Sequence, residues 1–123
     1  MILVDTSVWA QHIDRSVEPL RTLLEADEVS SHPFIVGEIA LGNLRRRDTV
    51  LSDIMLLPQA AVATQEEVLD LIERHKLFGR GIGFIDAHLL AAALLTDDTR
   101  IWTFDKKLAL AAGRLGIAYQ PGG

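Results

Sequence analysis

The stretch ILVDTSVW at residues 2–9 decides how the fold begins. Three consecutive apolar residues followed at once by a polar one predict a short buried strand over residues 2–5. Thr6 or Ser7 can then cap a helix, because a hydroxyl at a helix start accepts hydrogen bonds from the free backbone N–H groups there. Asp5 therefore ends a strand, at the edge of the sheet where α/β proteins bind their ligands.

Short apolar runs alternate with helical segments along the rest of the chain. Further strands are predicted over residues 28–30, 61–63, 101–104 and 117–119. Helices are predicted over residues 19–26, 33–46, 48–57, 84–95 and 106–114, with one more beginning at a Thr64–Glu67 capping box. This alternation predicts an α/β protein, a three-layer α/β/α sandwich around a short central parallel sheet. No linker or repeat divides the chain, so residues 1–123 are expected to form one domain.

Composition excludes several classes of protein. Hydrophobic residues make up 49% of the 123 residues, which indicates a globular chain rather than a disordered one. No apolar run approaches the ~20 residues that span a bilayer, so no membrane association is predicted. The absence of cysteine excludes disulfides and thiolate metal sites. Together with an N-terminus that lacks the basic flank of a signal peptide, this favours a cytoplasmic location.

The net charge of −5 argues against nonspecific nucleic-acid binding by the chain as a whole. The basic residues are nevertheless concentrated in blocks, such as Arg45–Arg47 and Lys106–Lys107, with Arg80 in a third basic stretch. Each block by itself is explained most simply as a solvated helix end. Basic patches around an acidic centre still fit a polyanionic substrate, and the predicted substrate contacts are Arg45, Arg80 and Lys106.

Four acids lie where a fold would normally bury apolar groups: Asp5, Glu38, Asp86 and Asp105. Asp5 and Asp105 follow predicted strands; taken alone, a helix cap explains Asp5 at least as simply as a functional role does, and explains Asp105 more simply. Glu38 and Asp86 fall on the apolar faces of predicted helices, where a lone buried carboxylate is costly. Several carboxylates in one place usually bind a hard divalent cation, so we expect the four to converge in one pocket.

The chemistry of such a pocket follows from its charge. Carboxylates ~6 Å apart repel by roughly 2–3 kcal/mol per pair at an effective dielectric constant of about 20, and a divalent metal removes that penalty. Oxygen ligands without a histidine or cysteine cluster indicate Mg²⁺ or Mn²⁺ rather than zinc. Such an ion polarises a phosphate and activates water for attack on phosphorus. Ser7 and Thr103, each two residues from one of these acids, are candidate supporting hydroxyls.

Four features together resemble a known family: ILVDTSVW at residues 2–9, the lone Glu38, FIDAHLLAAAL at 84–94 and IWTFDKKL at 101–108. They are similar to the PIN-domain family and, within it, to the VapC-type toxins of bacterial toxin–antitoxin pairs. The resemblance covers the chain from residue 2 to about residue 119. It implies a PIN-like domain and an endoribonuclease that depends on Mg²⁺ or Mn²⁺ and cleaves RNA at an acidic quartet.

The resemblance also implies roles for particular residues. The expected catalytic residues and metal ligands, which match the four acids of the family, are Asp5, Glu38, Asp86 and Asp105. Thr6 and Ser7 match a hydroxyl-bearing pair after the first acid, and Thr103 matches a hydroxyl position before the fourth. Phe104 departs from the family, in which this position is often polar or basic.

The partners that the resemblance implies are a second copy of the chain, RNA and a small cognate antitoxin of the VapB type. Such antitoxins commonly wrap the toxin and place a basic residue near the acidic site. An arginine would suit that position, because it binds carboxylates through two parallel hydrogen bonds and competes with a metal for them.

Two other interpretations stay open. Residues 48–58 look like the phospho-acceptor segment of a response-regulator receiver domain, with Asp53 as the acceptor and Lys106 near the position of a receiver lysine. Against this, a receiver usually has adjacent acids at the end of its first strand, whereas Thr6 follows Asp5. The second alternative is a PIN-like binding module without catalysis, although all four acids are present.

Overall fold

The computed structural model describes residues 1–122. Within that range the chain forms three strands and seven helices, largely in the alternating order that the sequence predicts. The strands are β1 (Ile2–Val4), β2 (Val29–Ser30) and β3 (Arg100–Trp102). The helices are α1 (Thr6–Asp14), α2 (Glu18–Glu25), α3 (Pro33–Ala40), α4 (Arg47–Met55), α5 (Gln65–Arg74), α6 (Phe84–Leu95) and α7 (Lys106–Arg114).

The three strands form one parallel sheet in the order β2-β1-β3. β1 lies at the centre, where Ile2 pairs with Val29 on one side and with Arg100 on the other. Parallel strands need crossover connections, and in this chain helices supply them. The predicted α/β/α sandwich with a short parallel sheet is therefore confirmed. The carboxyl ends of β1 and β3 lie side by side, since the Asp5 N–H donates to the Trp102 carbonyl oxygen at 2.9 Å.

The core lies where the sheet meets the helices. Leu3 and Val4 of β1 are fully buried, and Ile101 of β3 is almost so. α6 is buried from Ala87 to Ala93, which confirms the prediction of a buried helix over residues 84–95. A helix that is apolar on nearly every side is stable only in such an interior position. Even with α6 included, no helix within residues 1–122 has the length and hydrophobicity needed to cross a bilayer.

Two local predictions are confirmed at the level of hydrogen bonds and helix limits. Thr64 Oγ1 accepts from the Glu67 N–H at 3.1 Å, and Glu67 Oε1 accepts from the Thr64 N–H at 2.8 Å, which completes the capping box of α5. α7 spans residues 106–114 as predicted. Both features depend on residues within one or two helical turns, which is why sequence spacing alone reveals them.

The predicted helix over residues 33–46 is too long, because α3 ends at Ala40. Arg46 adopts a left-handed conformation (φ 52°), through which a right-handed helix cannot continue. The Arg47 guanidinium donates to the Ala40 carbonyl oxygen at 2.8 Å, so a side chain at the start of α4 satisfies the end of α3. Apolar periodicity continues past Ala40 and does not reveal this cap.

The strands predicted over residues 61–63 and 117–119 do not form within the described part of the chain. The chain reaches each outer edge of the sheet through a single bridge instead, from Gln59 to Ser31 and from Ala118 to Ile101. Beyond the second bridge the ladder stops because the Tyr119 N–H donates to the Ile101 carbonyl oxygen and the next donor position is Pro121, which has no N–H.

Candidate active site

Asp5 directly follows β1 and occupies the cap position of α1, but its side chain makes no capping hydrogen bond. The cap predicted at Thr6 or Ser7 is wrong, since both residues lie inside the first turn of α1. Asp5 is only 6% exposed. The dipole at a helix start stabilises an anion by roughly 0.3–1 kcal/mol, which is less than the cost of burying a charge. The carboxylate therefore needs further partners.

Two hydroxyls supply those partners. Asp5 Oδ2 accepts from Ser7 Oγ at 2.8 Å and from Thr103 Oγ1 at 2.7 Å. Each hydroxyl in turn accepts a backbone N–H, Ser7 from Phe104 and Thr103 from Asp105, both at 3.0 Å. These backbone donors leave each hydroxyl proton free to point at Asp5. Within the described residues, Asp5 Oδ1 accepts no hydrogen bond, so one oxygen is held and the other stays available.

Asp105 also divides its two oxygens between roles. Oδ1 accepts from the backbone N–H groups of Lys107 at 2.8 Å and Leu108 at 3.1 Å, which caps α7. The helix-cap explanation of Asp105 is therefore correct for this oxygen. Oδ2 has no hydrogen-bond partner among the described residues, so capping does not use up the carboxylate.

Glu38 does not lie on a buried face, and that expectation is wrong. α3 buries Ile35 and Ile39, whereas Glu38 is exposed and Leu41, beyond the helix end, is 90% exposed. The apolar periodicity misleads here because the stripe turns away from the core as α3 ends. Thr6 Oγ1 nevertheless donates to Glu38 Oε1 at 2.8 Å, which ties α3 to the first turn of α1.

Asp86 lies in the first turn of α6 and is partly buried. Burial, together with the negative charges of Asp5 and Asp105 and a smaller contribution from Glu38, raises the pKa of Asp86 to about 6. A hydrogen bond from the Gly83 backbone partly offsets this increase in the pKa. Asp86 therefore lies near enough to the other three carboxylates for their charges to act on it.

No lysine or arginine in the described part of the chain neutralises this group of carboxylates. The ion pairs within residues 1–122 all lie elsewhere: Arg21–Glu18, Arg21–Glu25, Arg47–Asp48 and Arg74–Asp70. Within the same residues, no three acidic or histidine side chains lie close enough together to hold a metal ion as they stand. The donor chemistry still fits Mg²⁺ or Mn²⁺, because all four groups are carboxylates and each keeps at least one oxygen without a hydrogen bond among residues 1–122.

Aromatic and imidazole rings connect the helices that carry Glu38 and Asp86. His32 Nδ1 accepts from the Phe34 N–H at 3.0 Å, which caps α3. The Phe34 ring packs on His88 of α6 at 4.8 Å between ring centres, and the Phe84 ring also packs on His88 at 4.8 Å. Both histidines are buried, and sequence inspection found no role for them because no metal-ligand spacing links them.

The predicted substrate contacts are not brought to one place. Arg45 lines a pocket of about 720 Å³ between α1, α2 and α4, together with Trp9. Arg80 lines a small depression beside α7, in which Lys107 also lies. Lys106 lines a neighbouring surface of the same helix. The predicted substrate contacts include Lys106 but not Lys107, although helical spacing places Lys107 and Arg114 on one face of α7.

The receiver interpretation fails on the position of its acceptor. A receiver needs the phospho-accepting aspartate among acids at the carboxyl edge of the sheet. Asp53 instead lies within α4 and is exposed beside the 720 Å³ pocket. The acids at the carboxyl edge are Asp5 and Asp105.

Comparison with known proteins identifies the class that this fold and site define. The family model for the PIN domain matches residues 2–114, and the chain belongs to the PIN-domain family. More particularly, the chain is 45% identical over 118 residues to Ribonuclease VapC32 of Mycobacterium tuberculosis, in the strains CDC 1551 / Oshkosh and ATCC 25618 / H37Rv. The alignment covers 96% of this chain and 95% of that protein, and it confirms the resemblance found in the sequence.

A solved structure supports the fold independently. The crystal structure of FitAcB from Neisseria gonorrhoeae superposes with a TM-score of 0.63, over 92% of this chain and 94% of that chain. The two sequences are 21% identical, so this likeness concerns the fold alone.

Proposed function

We propose that the protein is a divalent-metal-dependent endoribonuclease and the toxin of a toxin–antitoxin pair. The observation that carries the proposal is the group of unpaired carboxylates at the carboxyl edge of the sheet, with Asp5 held by two hydroxyls. The family match includes all four acids, and the 45% identical relative is a ribonuclease by name. The proposal includes a single domain and a cytoplasmic location, where RNA and a protein partner are available.

The four acids would hold Mg²⁺ or Mn²⁺, the ions that carboxylate oxygens favour. When bound, the ion supplies positive charge that polarises a phosphate and lowers the pKa of a water. Ser7 and Thr103 hold one oxygen of Asp5 and leave Oδ1 for a ligand. Thr6 does the same for Glu38 by engaging Oε1. The supporting hydroxyls therefore orient the acids.

Conservative substitutions of two acids test the proposal. Asp5→Asn and Asp86→Asn keep the shape of each side chain and remove its charge. Each should lower RNA cleavage by about 100-fold or more, the effect of losing a group that stabilises charge in a transition state. Asp70→Asn is the matched control, because it removes an exposed acid whose partner is Arg74 on α5. Cleavage is followed on a labelled RNA in Mg²⁺, in Mn²⁺ and in excess EDTA.

The outcomes separate the alternatives. Cleavage at an undiminished rate in excess EDTA would contradict the metal mechanism. If the wild-type chain binds RNA but cleaves none in either metal, the non-catalytic binding module is the better interpretation. Circular dichroism of each variant ensures that a loss of activity is not a loss of fold.

We also propose that a small antitoxin supplies the cation that the chain lacks. No lysine or arginine among residues 1–122 pairs with Asp5, Asp86 or Asp105. An arginine from another chain can bind these carboxylates in a bidentate manner and compete with a metal for them. One exposed ion pair contributes only ~0–1 kcal/mol, so the antitoxin must also bury apolar surface against the toxin.

Co-expression of the chain with its antitoxin tests this mode of inhibition. The antitoxin should suppress the toxicity of the wild-type chain. Replacing its inserted basic residue with alanine should restore RNA cleavage more than it weakens binding between the two proteins. A purified complex in which the acids remain open to Mg²⁺ and RNA would contradict this mode of inhibition.

The homodimer stays a prediction that rests on family membership. Light scattering of the purified chain over a range of concentrations tests it. A mass of two chains that persists on dilution is expected. The mass of one chain at every concentration would contradict it.

A further inference from the structure

Three cations lie together near Asp105, and no acid among residues 1–122 pairs with them. Arg80, Lys107 and Arg114 line one depression of about 50 Å³ between the loop before α6 and the exposed side of α7. None of the three forms an ion pair within residues 1–122. This is unusual in a chain whose net charge is −5, and it marks a local site for a polyanion.

The depression is held in shape by the backbone of the loop. Arg80 Nε donates to the Lys76 carbonyl oxygen at 2.8 Å, which fixes the guanidinium group. The Lys107 side chain lies against Gly81, so closely that a Cβ there would be 2.8 Å from Lys107 Nζ. Gly81 has φ +74°, a conformation that also favours glycine. Two of the cations are therefore positioned by contacts rather than extended freely into solvent.

The same segments connect the cations to the acids. The Lys107 N–H donates to Asp105 Oδ1 at 2.8 Å. At the other end of the loop, a Cβ on Gly83 would lie 3.7 Å from Asp86 Oδ2. The loop from Arg80 to Gly83 thus borders the cations at one end and the acidic site at the other.

Two exposed aromatic residues lie close to the acids in the sequence. Phe104 directly precedes Asp105 and is 44% exposed, and Phe84 precedes Asp86 by two residues and is 47% exposed. Each packs nearly at right angles to a buried ring, Phe104 on Trp102 at 5.8 Å and Phe84 on His88 at 4.8 Å. These contacts hold one side of each ring and leave the rest in solvent. Exposure of that apolar surface to water is unfavourable.

We propose that Arg80, Lys107 and Arg114 bind backbone phosphates of single-stranded RNA, and that Phe104 and Phe84 stack on its bases beside the acidic site. This rests on the proposed ribonuclease function and adds the surface that holds its substrate. Stacking on aromatic rings requires unpaired bases, which single strands and loops provide and duplexes do not. The departure of Phe104 from the polar residue common in relatives becomes a means of substrate contact.

RNA fits this surface better than a protein segment does. An apolar peptide across the depression would bury three cations without counterions, which costs free energy. A phosphate chain neutralises the same cations and releases the counterions that surround it. The exposed aromatic rings can also stack on the bases of such a chain, because every base has a flat face.

The first experiment measures binding without cleavage. The protein is titrated, in EDTA, into a labelled single-stranded RNA of mixed sequence at several salt concentrations. Lys107→Gln and Arg114→Gln should each weaken binding and lower the slope of log affinity against log salt by about 0.7, the value for one phosphate contact. Arg21→Gln is the control, since Arg21 already pairs with Glu18 and Glu25 and should leave affinity and slope unchanged.

The second experiment tests stacking. The RNA carries a fluorescent base analogue whose emission falls when the base stacks. Phe104→Ala should weaken binding by about fivefold or more and abolish the fall in emission. Phe104→Tyr keeps an aromatic face and should retain both, which separates stacking from a general loss of structure. Phe84→Ala and Phe84→Tyr form a second matched pair.

The outcomes distinguish this surface from the enzymatic function. Wild-type affinity and salt slope in both Lys107→Gln and Arg114→Gln, or no RNA binding by the wild-type chain, would overturn the proposed surface. Normal cleavage would then leave the ribonuclease function standing. If the two variants lower the salt slope as expected but the wild-type chain cleaves no RNA, the result would support the proposed RNA-binding surface and contradict the proposed ribonuclease function. Equal affinity for a duplex and a single strand would overturn the stacking contacts.

Discussion

Thr103 Oγ1 lies 2.7 Å from Asp5 Oδ2 and donates a hydrogen bond to it, although the two residues are 98 positions apart. The contact joins the segment that leaves β3 to the carboxyl end of β1, because these strands are neighbours in the sheet. The same hydroxyl accepts the Asp105 N–H at 3.0 Å. One side chain therefore positions two of the four acids.

Removing this hydroxyl should affect both stability and cleavage. Thr103→Val keeps the shape of the side chain but leaves a buried carboxylate with one donor fewer. We expect the free energy of unfolding to fall by about 1.5–3 kcal/mol, the range for hydrogen bonds to charged groups. Cleavage should fall because Asp5 loses its orientation. Urea unfolding and a cleavage assay measure the two effects, and Thr103→Ser should restore most of both. Equal activity of the valine and serine variants would contradict this role.

Gly81 and Gly79 form a matched pair for testing the loop before α6. Both have positive φ, +74° and +72°, so alanine should cost about 1 kcal/mol or more at either position. Only at Gly81 would the added Cβ approach Lys107, at 2.8 Å from Nζ, and displace it. Both variants should therefore lose similar stability in urea unfolding, whereas only Gly81→Ala should weaken RNA binding in EDTA. An equal loss of RNA binding in both variants would show that loop strain alone matters.

Asp86 should make the metal-free protein less stable as the pH rises. The pKa of Asp86 is about 6 in the folded chain and 3.8 without the surroundings that the fold provides. Between pH 3.8 and about pH 6 the folded state therefore binds a proton that the unfolded state has lost. Stability then falls as the pH rises through this window, and the loss is complete above about pH 6. Partial exposure makes the effect smaller than the full shift implies.

Asp86→Asn should therefore raise the melting temperature in EDTA at neutral pH and flatten its dependence on pH between about 4 and 6. Adding Mg²⁺ should stabilise the wild-type chain more than the variant, because the ion binds the folded carboxylates. Calorimetry measures both. A variant that melts below the wild-type chain in EDTA at neutral pH would contradict the repulsion among the acids.

His32 should make the protein less stable as the pH falls, which is opposite to the effect of Asp86. Burial lowers the pKa of His32 from 6.5, and the neighbouring His88 lowers it further. Below pH 6.5 the unfolded state therefore binds a proton that the folded state does not, and stability falls as the solution is acidified. His32→Asn can keep the cap of α3, since asparagine is a good capping residue.

The measurement is the difference in unfolding free energy between neutral pH and about pH 5, taken for both proteins by urea titration. The same change of pH is applied to both proteins, so the difference between them reports the effect of replacing His32. A smaller loss of stability on acidification is expected in His32→Asn. An identical loss would show that protonation of His32 does not oppose folding.

Several features were predictable from the sequence because they depend on near neighbours. The Thr64–Glu67 capping box, the limits of α7 and the buried helix α6 all follow from spacing within a few helical turns. The alternation of strands and helices was enough to predict a parallel sheet. The position of Asp5 at the end of β1 followed from the same local pattern.

Asp105 shows how two sequence interpretations can both be satisfied. The sequence offered a helix cap or a site carboxylate as competing explanations. The structure uses Oδ1 for the cap and leaves Oδ2 without a partner among residues 1–122. The sequence identifies the residue but does not show which of its two oxygens makes a hydrogen bond, because that depends on the direction of the side chain.

The sequence by itself determined which residues could form helices and strands and which four acids stood out; tertiary structure decided how those acids are held. The Thr103–Asp5 contact depends on β3 lying beside β1. The early end of α3 depends on Arg47 reaching back to Ala40, and the exposure of Glu38 depends on how α3 leaves the core. Local periodicity carries no information about these contacts, because hydrogen bonds between distant segments form only once the strands are paired in the sheet.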